Sequence, residues 1–149
     1  MRLEDEIKQQ RFENRYQKLV LNLVYTGSWL NAHSVRWLKP YGLSPQQYNI
    51  LRILRGQHPN PATVLVIKER MLDKMSNVSR LVEKLRVKGL LDRRTCATDR
   101  RAVDVFITPK GLALLTEIDG QEEKGLDLVK TLSPEEVDRL NDLLDKLRG

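Results

Sequence analysis

The amino-acid sequence predicts a mainly helical chain with one small β-hairpin. Helix start signals, in which a hydroxyl residue precedes a proline, occur at Ser44, Thr108 and Ser133. Apolar residues recur at helical spacing through most of the chain, whereas apolar and polar residues alternate over 103–107, as in a half-buried strand. These patterns together indicate helices arranged around a single short hairpin.

The first long helix is predicted over residues 14–39. Its apolar residues would form one stripe, and the Pro-Tyr-Gly sequence at 40–42 ends it. The stripe contains Leu19, Leu23, Leu30 and Trp37. The charged segment 3–12 ahead of this helix is expected to form a short extra helix or an arm that lies on a partner chain.

Two helices are expected next. Ser44 begins the first with a capping box that Gln47 completes, and Gly56 ends it. Residues 63–71 suit either a helix or a buried strand, because the four residues 64–67 are all apolar. The order of the surrounding elements favours a helix.

A further helix is predicted over about 74–88, and Gly89 ends it. Four apolar residues would share its inner face: Val78, Leu81, Val82 and Leu85. Polar residues suited to hydrogen bonding lie away from that face: Ser76, Ser79, Arg80 and Lys84. The helix is therefore amphipathic, with an outer face suited to polar contacts.

A hairpin is predicted over 91–107, with its turn at Cys96–Arg101. It carries four arginines within nine residues: Arg93, Arg94, Arg100 and Arg101. One long leucine-rich helix is expected after Thr108, and Ser133 with Glu136 forms a capping box for a terminal helix. Apolar stripes on these two helices comprise Leu112, Leu115, Ile118, Leu126 and Val129, then Val137, Leu140, Leu143, Leu144 and Leu147.

The order of three helices and a two-stranded hairpin is that of a winged helix-turn-helix, whose third helix enters the major groove of DNA and whose wing enters a minor groove. A formal charge of +6 and a pI near 9.6 favour a polyanionic partner. The candidate DNA contacts are Ser76, Asn77, Ser79, Arg80, Lys84, Arg94, Arg100 and Arg101. Asp99 is expected to orient a neighbouring arginine by a charge-assisted contact.

Three segments resemble the MarR family (multiple antibiotic resistance regulators) of bacterial transcription factors. Residues 43–54 resemble its first winged-helix segment, 77–93 its recognition helix and 99–111 its Asp-x-Arg wing and Thr-x-x-Gly helix start. The resemblance implies a homodimeric, ligand-responsive repressor or dual regulator that binds a pseudo-palindromic operator. It also implies that Arg101 enters the minor groove with Asp99 as its orienting partner.

The same resemblance implies a single domain over 1–149, with dimerisation helices at 1–40 and 109–149 around a winged helix-turn-helix at 43–108. Small winged heads cannot bury several additional amphipathic helices alone, which supports dimerisation. The apolar run at 64–67 departs from the family's usual mixed polarity. A rival interpretation is a winged-helix module whose basic face docks on an acidic protein surface rather than on an operator.

Trp29, His33 and Trp37 either border an effector pocket or pack in the core. Cys96 is either a redox sensor, with a pKa depressed by nearby arginines, or an incidental small residue. The sequence shows no catalytic spacing, metal motif or phosphate-binding glycine loop, so we expect neither an enzyme nor a cofactor. Without a signal peptide or a membrane span, and with one cysteine, the protein is expected in the cytoplasm.

Overall fold

The computed structural model describes residues 1–149 and confirms a mainly helical fold with a small sheet. The helices are α1 (Leu3–Glu6), α2 (Arg15–Leu38), α3 (Pro45–Gln57), α4 (Val64–Arg70), α5 (Val78–Val87), α6 (Pro109–Asp119), α7 (Glu122–Leu126) and α8 (Pro134–Arg148). Short 3-10 turns occupy Lys39–Tyr41 and Asp127–Val129, and the strands are β1 (Ala62–Thr63), β2 (Leu91–Thr95) and β3 (Val103–Ile107). Every helix falls short of the combined length and hydropathy that a bilayer span requires.

The predicted helix starts, at two Ser-Pro sequences and one Thr-Pro sequence, begin α3, α6 and α8. The side chains of Ser44 and Ser133 each accept a hydrogen bond from the backbone N–H three residues later. In return, the Gln47 and Glu136 side chains accept from the N–H groups of the two serines, which completes both capping boxes. Thr108 caps α6 by accepting from the Gly111 N–H at 3.2 Å. These caps satisfy amides that a helix cannot pair internally.

The predicted hairpin is present, and it belongs to a three-stranded antiparallel sheet in the order β1-β3-β2. Leu91 pairs with Ile107 and Arg94 with Asp104, while Ala62 pairs with Val105 on the other edge. Sequence reasoning did not predict β1, because a strand of two residues leaves no alternating pattern to detect. Its helix assignment for the next residues, which form α4, is confirmed.

A single apolar core lies between α3, α4, α5, α6 and the sheet. Ile50, Leu85 and Val105 are fully buried in it. Gly111 lets α6 approach the turn after α5, because a Cβ at this position would lie 2.2 Å from the Leu90 carbonyl oxygen. The core thus fixes α5 and the hairpin relative to each other.

The helix expected over 74–88 begins later than predicted, at Val78. The Asn77 side chain accepts from the Arg80 N–H at 3.2 Å and so forms the N-cap. Before it, the Asp73 carboxylate accepts from the Met75 N–H at 2.9 Å and holds the chain in a bend. We call residues 72–77 the reading loop.

The prediction of one long helix after Thr108 is wrong. Helix α6 ends at Asp119, and α7 and a 3-10 turn follow before α8. The break occurs where Gln121 donates its N–H to the Ile118 carbonyl oxygen at 2.8 Å, a tight turn in place of a helical bond. The sequence contains a cause, since polar residues and Gly120 separate Ile118 from the next stripe residue, Leu126.

The terminal helices leave much of their apolar surface exposed. In α2 only Leu38 is buried, and α8 has no buried residue. Val24 and Leu143 are 64% and 54% exposed. A groove of about 470 Å³ runs between α2 and α8, lined mainly by leucines. These faces lack the cover that apolar helix stripes require.

Candidate nucleic-acid interface

Helix α5 presents the predicted polar face to solvent. Ser79, Arg80 and Lys84 are exposed, whereas Val82 and Leu85 on the opposite side are 2% and 0% exposed. Hydroxyl, guanidinium and ammonium groups can donate to base edges and phosphates. The exposed side of α5 is therefore chemically suited to a nucleic-acid groove.

Ser76 and Asn77 are placed differently from the residues on that face. Asn77 is exposed, but its side-chain oxygen is engaged as the N-cap of α5. The Ser76 hydroxyl oxygen is buried without a hydrogen-bond partner. Ser76 therefore does not share the outward position that the sequence pattern suggested, because it precedes the helix instead of lying within it.

Contacts from other elements hold the loop before α5 and the C-terminal end of the helix. At its N-terminal side, the Asn49 side-chain oxygen on α3 accepts from the Leu72 N–H at 2.9 Å. At its C-terminal end, Lys110 Nζ donates to the Lys88 carbonyl oxygen at 2.9 Å, and Lys88 Nζ donates to the Gly42 carbonyl oxygen. Cations at a helix C-terminus also complement its dipole. Helix α5 is thus fixed against the rest of the winged helix-turn-helix segment, residues 43–108, which we call the head.

Glu83 joins α5 to the first strand of the hairpin. Its carboxylate lies 2.8 Å from Arg86 on the same helix and 3.0 Å from Arg93 on β2. The hydrogen bond from Arg86, together with both positive charges, lowers the pKa of Glu83. The i,i+3 spacing of Glu83 and Arg86 on a predicted helix is the signal from which this ion pair could have been identified in the sequence.

The remaining hairpin arginines are exposed. Arg94 lies over the Phe106 ring, 5.1 Å from its centroid. Arg100 and Arg101 lie in the turn. The Asp99 carboxylate accepts from the Arg101 backbone N–H at 2.9 Å, so its contact is with the main chain and not with a guanidinium.

The Cys96 thiol hydrogen-bonds with the Thr98 hydroxyl at 3.3 Å. This bond, with contributions from the backbone at Thr98 and Asp99, lowers the pKa of Cys96. The expected cause was the charge of the neighbouring arginines, whereas hydrogen bonds that favour the thiolate form cause the shift.

Charge is divided unevenly along the chain. Residues 43–108 contain 13 Lys or Arg and 6 Asp or Glu, a net charge of +7. Residues 109–149 contain 6 Lys or Arg and 10 Asp or Glu, a net charge of −4. The positive charge that suits a polyanion is therefore concentrated in the segment that carries α5 and the hairpin.

A cleft of about 410 Å³ lies between α2, α3 and the reading loop. Trp37 meets Tyr48 edge to face at 5.6 Å, and the Arg52 guanidinium donates to the Tyr48 hydroxyl at 2.9 Å. Leu72 also lines this cleft. Tyr48 and Arg52 are four residues apart on one helix, a spacing that could have identified them from the sequence.

The expected pocket of Trp29, His33 and Trp37 is divided in the structure. Trp29 lines a groove with Leu128, on a different part of α2 from the Trp37 cleft. The His33 Nε2 and the Trp37 Nε1 are both buried without hydrogen-bond partners. Trp37 also packs against the head core and against Gly125, where an added Cβ would lie 3.0 Å from the indole.

Comparisons with known proteins agree with this architecture. A family model described as MarR family matches residues 41–102. Over 130 residues the chain is 29% identical to the HTH-type transcriptional regulator MhqR of Bacillus subtilis (strain 168), covering 87% of each chain. A crystal structure of a MarR transcription factor from Planctomyces limnophilus is 30% identical, with a TM-score of 0.70, and the match covers 91% of this chain and 98% of that one.

A third relative shares the fold at lower identity. The structure of Bordetella bronchiseptica BpsR, whose DNA binding is regulated by 6-hydroxynicotinic acid, has a TM-score of 0.77 at 23% identity and covers 89% of this chain and 99% of that one. MhqR is named as a transcriptional regulator and the Planctomyces protein as a MarR transcription factor. The chain therefore belongs to the MarR family of transcription regulators.

Proposed function

We propose that this protein is a homodimeric regulator of transcription that binds a pseudo-palindromic stretch of double-stranded DNA. The observation that carries the proposal is the exposed polar face of α5. Hydrogen bonds hold the loop before this helix and its C-terminal end, and a hairpin with exposed arginines flanks it. The relatives named as transcription regulators, and BpsR, whose DNA binding is regulated, support the same function. We assign the chain no catalytic activity and no cofactor.

Helix α5 occupies the major groove in this proposal. Ser79, Arg80 and Lys84 contact bases and phosphates there. Asn77 lies at the N-terminus of the helix, the end that enters the groove. Arg80 is the residue best suited to a guanine edge, because a guanidinium pairs with both guanine acceptors. Ser76 contributes only if its buried hydroxyl becomes accessible on binding.

The hairpin is the wing and follows the adjacent minor groove. Arg100 and Arg101 at its turn supply charge where the potential of a narrow groove is most negative. Asp99 shapes the turn through the Arg101 amide and so directs the Arg101 side chain. Arg94, stacked on Phe106, contacts the phosphate backbone beside the turn.

Two copies join through segments 1–40 and 109–149. The supporting observation is the uncovered apolar surface of α2 and α8, including Val20, Val24, Leu143 and Leu147, all more than half exposed. Two-fold symmetry would place the two α5 helices about one helical turn of DNA apart, with half-site centres about 10 base pairs apart. Because a transcription regulator binds chromosomal DNA, we expect this protein in the bacterial cytoplasm.

A small molecule in the cleft of Trp37, Tyr48, Arg52 and Leu72 would regulate binding. Leu72 belongs both to this cleft and to the reading loop, and Asn49 ties its N–H to α3. A ligand that displaces Leu72 would therefore also displace the residues that precede α5. Regulation of BpsR by 6-hydroxynicotinic acid supports a small-molecule effector, which makes that compound a suitable first probe.

Selection of duplexes from a randomised pool, followed by fluorescence anisotropy over a salt series, tests the proposal. An enriched palindromic sequence is expected, with affinity falling steeply as salt rises, by a log–log slope of about −0.9 per phosphate contact. Weak binding of all sequences alike would contradict the proposal. It would favour the rival, a winged-helix module that docks on an acidic protein surface.

A further inference from the structure

The two most exposed large apolar side chains of the protein lie on the reading loop. Leu72 is 88% exposed and Met75 is 91% exposed. Leu72 contributes to the wall of the Trp37 cleft. Met75 lies on the other part of the loop, three residues before the first residue of α5. An unbranched thioether fully in water is unusual, because methionine is among the residues most often buried.

The loop that carries Met75 is fixed by four hydrogen bonds. Besides the Asn49 bond to Leu72, the Asp73 carboxylate accepts from the Met75 N–H at 2.9 Å and the Asp73 carbonyl oxygen accepts from the Ser76 N–H at 3.2 Å. Lys74 Nζ donates to the Glu69 carbonyl oxygen. Met75 is therefore presented to solvent on an ordered backbone, so little loop-ordering entropy is lost when it contacts a partner.

We infer that Met75 reads the methyl group of a thymine in the major groove. The inference rests on the proposed DNA binding, in which the N-terminal residues of the reading helix meet base edges. Met75 precedes that end of α5 by three residues, and it is exposed, as are Asn77 and Ser79 shortly after it in the chain. The thymine C5-methyl is the apolar feature that the major groove offers, and a flexible thioether packs against it without needing a hydrogen-bond partner.

Uracil in place of thymine removes only this methyl group and tests the contact directly. In the duplex selected by the full-length protein, each thymine is replaced in turn by uracil, and affinity is measured for the wild type and Met75→Ala. One symmetry-related thymine pair is expected at which uracil weakens wild-type binding by about fourfold per contact, the equivalent of burying one methyl-sized group. Met75→Ala should bind the thymine and uracil duplexes equally at that pair.

Two further variants keep the test specific. Met75→Leu should retain most of the thymine preference, because it keeps an apolar side chain of similar size. Leu65→Ala, at an exposed apolar residue on α4, should leave the uracil effect unchanged. Equal melting temperatures and equal dimer masses of all variants would exclude a folding or assembly effect.

Each alternative result is decisive. A uracil effect that persists in Met75→Ala, or the absence of any uracil effect in the wild type, overturns the role of Met75 while leaving DNA recognition intact. A change of dimer mass in Met75→Ala would assign the side chain to the subunit interface and also overturn it. Failure to enrich any sequence would overturn the proposed function itself, and the thymine contact with it.

Discussion

The winged head and the terminal helices bury their apolar residues very differently. In the head, Ile50, Leu85 and Val105 are fully buried within one chain. Helix α8 has no buried residue, although its stripe is as regular as that of α5. The net charges differ as well, at +7 for residues 43–108 and −4 for 109–149. The same helical pattern thus supplies a complete core in one region and an uncovered apolar surface in the other.

The largest expected effect is on the core of the head. Leu85→Ala should lower the free energy of unfolding by about 2–5 kcal/mol, because it leaves a cavity at a fully buried position. Urea unfolding monitored by circular dichroism measures this change. Leu143→Ala, at an exposed position of α8, is the matched control and should change stability less at low protein concentration. Equal losses for the two variants would contradict the difference between the regions.

The next effect is on assembly and, through it, on DNA binding. Leu143→Glu places a charge on the exposed stripe of α8 and should convert the dimer to a monomer. Affinity for a palindromic duplex should fall about 100-fold, since the second head no longer binds at high effective concentration. Analytical ultracentrifugation gives the mass and anisotropy the affinity. Leu65→Glu, on the exposed side of α4, should leave the mass unchanged.

A smaller loss is expected in the wing. Arg101→Ala should weaken binding to the selected duplex by roughly tenfold and reduce the steepness of the salt dependence, because each subunit loses one charged contact. Arg11→Ala removes an exposed arginine outside the head and should change neither quantity much. Unchanged affinity in Arg101→Ala would remove the wing turn from the mechanism.

The smallest effect is expected at the link between the cleft and the reading loop. Asn49→Ala removes the acceptor of the Leu72 N–H and should cost about 1 kcal/mol of stability. It should also speed hydrogen exchange in the loop and lower DNA affinity a few-fold. Asn60→Ala, at an exposed residue between α3 and β1, serves as the control. Unaltered exchange at Leu72 would show that Asn49 does not order the loop.

Local signals explain why much of the fold was predictable from the sequence. The caps at Ser44, Thr108 and Ser133 each depend on residues within three positions, and the structure has all of them. The hairpin was also predicted, because alternation over a few residues is likewise local. The inner face of α5 was predicted from the spacing of its apolar residues alone.

Features that depend on distant residues were not predictable in the same way. The bond between Asn49 and Leu72 joins residues 23 positions apart, and it ties the first residue of the reading loop to α3. The division of Trp29 and Trp37 between two sites depends on where Leu128 and Tyr48 pack against α2. Sequence spacing places both indoles on one helix but does not say which neighbours each will meet.

Hydroxyl-radical footprinting on the selected duplex, with the bound mass determined in parallel, tests the central claim most directly. Two uncovered α2–α8 surfaces joined in a dimer would place two α5 helices on one side of the DNA. The expected result is one dimer per duplex and two protected stretches on the same face, centred about 10 base pairs apart. A single protected stretch under a monomer, or no protection at all, would contradict it.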